Sequence, residues 1–149
     1  MRVITRVAVA VLCLGLLGTS ANAAEQLPWD QAKVTAIAKQ LIPAENEAYN
    51  AILPGQLGDI NPNAFYQLRE IMRRIRGESR RLADLLGKGE GHDATWPVFE
   101  QLALQVRNAQ ELVDQLFVPE PLSGKLKAAN GLVQELTPYY KKPNKKKDW

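Results

Sequence analysis

The chain has one histidine, His92, and one cysteine, Cys13, so its supply of imidazole and thiol chemistry is a single group of each. His92 stands in the glycine-flanked stretch KGEGHDAT, beside Glu90 and Asp93. Imidazole and carboxylate together suit zinc or copper. A lone imidazole without a thiol, however, reads as an exposed loop histidine rather than a metal centre. Met72 with His92 could form the axial pair of a haem held without thioether bonds. Met72 falls on an apolar helical stripe, where packing alone explains it, and His92 comes some twenty residues later. Tyr139 and Tyr140 offer phenol ligands, yet Tyr140 completes an apolar seam and Tyr139 adjoins a basic tail. No bound cofactor or metal is therefore expected.

Catalytic constellations are also missing. There is no glycine-rich phosphate loop, no HExxH, and no serine paired with a base in a recognisable motif. Ser79 lies on a core stripe and Ser123 near a helix start, where capping explains it. Glu45 and Glu47 are two residues apart on a helix and do not face each other. The ExxH pairs of di-metal carboxylate bundles are absent. The expectation is a protein that binds, not an enzyme.

The binding candidates are cationic. Arg69, Arg73, Arg76 and Arg80 repeat at spacings of four, three and four, and form a stripe beside the apolar one. Guanidinium groups so placed could hold an anionic ligand or partner by paired hydrogen bonds. The plainer reading is that they flank the seam and pair with glutamates on neighbouring helices, their stems covering apolar surface. The terminal KKPNKKKDW adds Lys145, Lys146 and Lys147, a cluster attractive to an acidic protein or an anionic surface. A solvated end explains the same lysines, although Trp149 at the terminus favours contact. A homodimer is the other association considered. Nucleic acid is excluded, because an exported chain carries no such recognition motif here.

Export is read from residues 1–23. Arg2 and Arg6 give a positive start, Val7 to Leu17 an apolar run, and Ala21-Asn22-Ala23 a small-residue cleavage site. The run is shorter than the ~20 residues a membrane-spanning helix needs. Cleavage would remove Cys13 and leave 126 of the 149 residues as a soluble, cysteine-free periplasmic protein. That rules out disulfides, thiolate metal sites and covalent haem. It also lowers the formal charge from +3 to +1. Residues 64–88 then carry +4 and residues 141–149 another +4, so the remainder is −7.

The elements that must position these groups are helices. Apolar residues recur at alternating spacings of three and four in four segments. The second segment gives Phe65, Leu68, Met72, Ile75, Ser79, Leu82 and Leu86, and the third Phe99, Leu102, Val106, Ala109, Val113 and Leu116. The fourth gives Leu122, Leu126, Ala129, Val133, Leu136 and Tyr140. The first is rougher: Val34, Ile37, Leu41, Ala44, Ala48 and Ile52. These periods predict an all-α, up-down-up-down four-helix bundle over residues 24–140, with helices near 29–53, 62–87, 95–117 and 121–140 and a flexible tail at 141–149. Asn61-Pro62 should open the second helix, and Gly87, Gly89 and Gly91 should end it in a flexible link. Asp93 or Thr95 should cap the third, with Pro97 in its first turn. Pro119 and Pro121 should turn the chain so that the third and fourth helices are antiparallel neighbours. Pro43 should kink or break the first helix and open a second short one.

This layout resembles the cytochrome c-prime family of periplasmic four-helix proteins. ATWPVFEQL, with Trp96 and Phe99, is similar to the start of that family's third helix, and VQELTPYYK to its terminal haem motif. Tyr140 and Lys141 match the aromatic and basic residues that follow the family's CxxCH. Val133 and Leu136, however, stand at the two cysteine positions, Thr137 at the axial histidine, and Pro138 follows. The resemblance thus implies the bundle fold without attached haem. A cofactor protein holding haem or a metal non-covalently is the alternative to a binding protein.

Overall fold

The computed structural model describes residues 26–53, 62–116 and 118–141. Four helices, α1 (Gln31–Ala51), α2 (Pro62–Gly87), α3 (His92–Asp114) and α4 (Glu120–Leu136), are followed by a 3-10 turn, Thr137–Tyr140. No strand occurs among the described residues. The all-helical expectation holds. Every residue of the α2 stripe from Phe65 to Leu86 is buried, including Ser79. The export signal at 1–23, Asn61 and the lysines 145, 146 and 147 lie outside the described residues.

Helix ends differ from expectation in instructive ways. Asp30 caps α1, its carboxylate accepting from the Lys33 amide at 3.0 Å. The link after α2 is a hydrogen-bonded closure rather than a flexible tether. Gly89, at φ +85°, lets its amide reach the Leu86 carbonyl while the Glu90 amide reaches that of Leu85. A residue with a Cβ would be strained at that φ. Gly91, not Asp93 or Thr95, precedes α3, and Thr95 turns inward as a buried residue. Pro97 accordingly lies in the second turn. Pro138 has no amide to continue α4, and the chain tightens there into the 3-10 turn.

Pro43 corrects the expectation most clearly. α1 runs unbroken through it, and no second helix opens there. Pro43 and Lys39, four residues earlier, are both exposed. Water can therefore reach the Lys39 carbonyl that lost its partner. The seam of α1 holds the helix together across this point: Leu41, Glu45, Ala48 and Ile52 are all buried.

Packing around the bundle is uneven. α1 packs extensively on α2 and on α4, and α2 on α3, whereas α3 and α4 meet only slightly. They are neighbours, as the short connection required, but their shared side stays open. Val106 and Val113, expected in the core, are half-buried on the walls of that opening. Leu102, one turn earlier, is fully buried.

This asymmetry is measurable. Leu102→Ala should lower stability by about 2–5 kcal/mol through loss of a core side chain. Val106→Ala should cost less, about 1 kcal/mol, since that side chain is only partly buried. Urea unfolding of the two variants checks this, and equal losses would mean that the α3–α4 side is closed.

Candidate functional site

Two polar residues interrupt the apolar seams at one height of the bundle. Glu45 on α1 is 1% exposed and Ser79 on α2 is 0% exposed. The Ser79 hydroxyl donates to Glu45 Oε1 at 2.5 Å. Glu45 Oε2 has no hydrogen-bond partner among the described residues. Burial pushes the Glu45 carboxyl up to about 8, against the opposing effects of the Ser79 hydrogen bond and of Arg76 and Arg80. At neutral pH this is a carboxylic acid, not a carboxylate.

Glu45 forms part of the wall of a small chamber of about 30 Å³, otherwise built mainly of Met72, Ile75, Val106, Ala109 and Leu126. Gln110 and Asn130 stand at its edge. Val106, Gln110 and Asn130 also border a groove of about 650 Å³ between α3 and α4, so chamber and groove adjoin. The groove wall from Trp96 to Gln110 spans fifteen residues of α3, or about 20 Å along its axis at 1.5 Å per residue. Its sides are Phe99, Ala103, Val133 and Tyr140, while Arg107 and Glu100 stand exposed at the mouth. A volume of this order suits a small organic molecule.

The far end of the groove is fixed by stacked rings. Tyr140 lies between Phe99, with centroids 4.1 Å apart and planes 10° from parallel, and His92, at 5.6 Å and 24°. Trp29 meets both Tyr140 and His92 edge-on. The Thr95 hydroxyl, which also reaches the Gly91 carbonyl at 2.9 Å, is hydrogen-bonded to the Tyr140 hydroxyl at 2.8 Å. Burial raises the Tyr140 phenol to about 12, the Thr95 bond opposing it. Tyr140 is thus a fixed wall rather than a ligand.

The sequence candidates are dispersed. Met72 lines the chamber, but His92 lies beyond the far end of α2. Met72 and Leu86 alone are about 21 Å apart along that helix. Met72 and His92 therefore cannot share one iron. His92 binds Asp93 through Nδ1 at 2.7 Å and is enclosed by Trp29, Trp96 and Tyr140. No group of three or more metal-binding side chains occurs among the described residues. Tyr139 is buried, and a hydrogen bond with its hydroxyl is the main cause raising the pKa of Lys33 on α1.

The arginines do not form a single cradle. Arg69 and Arg76 bend onto α1, their guanidinium carbons 4.7 and 4.4 Å from the Tyr49 ring centroid. Arg69 donates to the Ile52 carbonyl and the Tyr49 hydroxyl, and Arg76 to the Asn46 amide oxygen. Arg73 pairs with Glu70 on its own helix, and Arg80 is exposed. For Arg69 and Arg76 the expected pairing with glutamates of neighbouring helices is replaced by neutral partners on α1 and its C-cap. Comparison of the chain with family models, with curated proteins and with solved structures finds no match.

Glu45 and Ser79 were not among the sequence candidates, although a signal was present. Val34, Ala38, Leu41, Glu45, Ala48 and Ile52 repeat more regularly than the series routed through Ala44. The regular series places a glutamate in the seam. Its raised pKa gives a test with a defined sign. The folded protein keeps a proton that the unfolded chain gives up above its ordinary 4.5. Stability from this group is therefore present in full below 4.5 and falls as pH rises toward 8, by about 1.4 kcal/mol per unit at the steepest. Urea unfolding between about pH 5 and about pH 7.5 should show this slope in the native chain and lose it in Glu45→Gln.

Proposed function

We propose that this is an exported binding protein whose site is the groove between α3 and α4, and that its ligand is a small, largely apolar molecule. The observation that carries this reading is the open α3–α4 side, which gives a largely apolar groove adjoining a small chamber lined by Glu45. A bundle of this size gains stability by closing its seams, and half-buried Val106 and Val113 forgo part of that gain. A ligand covering them would recover it.

The resemblance to the cytochrome c-prime family supports the same face. Val133 and Thr137, which match haem-attachment positions of that family's terminal motif, border this groove. The residues do not fit haem itself. The groove has no imidazole or thiol on its walls, and its Tyr140 hydroxyl is engaged by Thr95. The arginine stripe is a weaker candidate surface, because Arg69 and Arg76 are already held by α1.

N-phenylnaphthylamine, an uncharged dye that brightens in apolar surroundings, tests the reading. It should bind the native chain, and Val106→Trp, which fills the groove, should weaken binding at least about tenfold, or ~1.4 kcal/mol. Ala36→Trp, on the exposed side of α1, should leave the affinity unchanged. Equal affinity in both variants would place any binding site elsewhere.

A further inference from the structure

We propose that the molecule held between α3 and α4 ends in a neutral carbonyl group, which accepts a hydrogen bond from Glu45 Oε2 at the chamber end. This inference rests on the groove reading and specifies the chemistry of its ligand.

The argument begins with the two carboxyl oxygens. Oε1 accepts from Ser79, which makes it the carbonyl-type oxygen of the acid. The acid proton then resides on Oε2, which is buried and has no partner among the described residues. A buried donor gains by finding an acceptor. The chamber walls supply mainly methyl, methylene and thioether surface, from Met72, Ile75, Val106, Ala109 and Leu126. Of the amides at its edge, Gln110 donates through Nε2 to Asp114 and Asn130 accepts at Oδ1 from Gln134, and neither hydrogen-bonds Glu45 Oε2. An incoming carbonyl provides the acceptor that no wall group brings to Oε2.

Competing ligand chemistries fit less well. A cationic amine would need Glu45 ionised, and burial opposes that at neutral pH. A carboxylate end would bring an uncompensated charge into the chamber, which has no cation on its walls. A plain hydrocarbon would fill the space but leave the donor unpaired. The charges acting on Glu45 are Arg76 and Arg80 from α2; α3 and α4 contribute no charged side chain to the chamber. A neutral ketone, amide or quinone-type carbonyl at the end of an apolar body meets every constraint, and the groove accommodates such a body over about 20 Å.

Two naphthalene probes separate this inference from the groove reading: prodan, which carries a ketone, and dimethylaminonaphthalene, which lacks it. Fluorescence titration should show both probes bound and both displaced by Val106→Trp. The double variant Glu45→Leu/Ser79→Ala replaces the buried polar pair by apolar groups and so should fold. It should weaken prodan about tenfold and leave the analogue's affinity equal or higher. Glu45→Gln keeps a donor and should retain prodan. Native binding of prodan should weaken as pH rises above about 8, and the Gln variant should bind independently of pH. If both probes bind but respond alike to the double variant, the carbonyl assignment is wrong and the groove stands. If neither binds, or Val106→Trp displaces neither, the groove reading fails and takes the assignment with it.

Discussion

A carboxyl group sits in the core of this bundle with one oxygen satisfied and one not, and much of the molecule is arranged around it. Glu45 can be buried opposite Ser79 because the serine hydroxyl supplies one hydrogen bond and protonation removes the charge. Ionised, the same group would need a close cation, and Arg76 instead reaches out to Asn46 and Tyr49. The α2 arginines thus hold the outer α1–α2 edge while the acid remains neutral inside it. The same stretch of α1 carries Pro43 on its exposed side, so the helix presents its least regular backbone to water and its most regular stripe to the core.

The open α3–α4 side follows from how the four seams are shared. α1 and α2 pack on one another and each takes one further helix, α1 taking α4 and α2 taking α3. Three sides close, and the fourth depends on the short opposing faces of α3 and α4. Their ends are fixed by the stack of His92, Tyr140 and Phe99 and by the Tyr140–Thr95 hydrogen bond. Between the ends, Val106 and Val113 face α4 residues as short as Ala129 and do not meet a matching surface. The result is a groove with aromatic walls at one end that adjoins, at the other, the chamber lined by Glu45.

Much of the fold was legible from residue spacing. The α2 stripe was complete, with Ser79 in it, because a strict three-four repeat admits one face only. Pro43 misled because its chemistry was judged without the exposure of Lys39, and exposure is a tertiary property. The site was much less legible. His92, Met72 and Tyr139 drew notice through their chemistry, yet His92 and Met72 lie at different heights, and Tyr139 is engaged with α1. The pair was hidden by ordinary rules: Glu45 was weighed only against Glu47, which it does not face, and Ser79 only as a member of the core stripe. Only the packing of α1 on α2 brings them to 2.5 Å, and only the slight contact between α3 and α4 leaves open the side beside the chamber that Glu45 lines.

The central claim is that Glu45 is a neutral acid facing a ligand-binding chamber. Carbon-13 NMR of the Glu45 side-chain carboxyl, titrated with and without prodan, addresses it directly. The account predicts a midpoint near 8 in the free protein. Prodan should move it higher, because a ligand that accepts the proton's hydrogen bond favours the protonated form. A midpoint in the ordinary carboxylate range, unmoved by a bound probe, would contradict both the buried acid and its role in the groove.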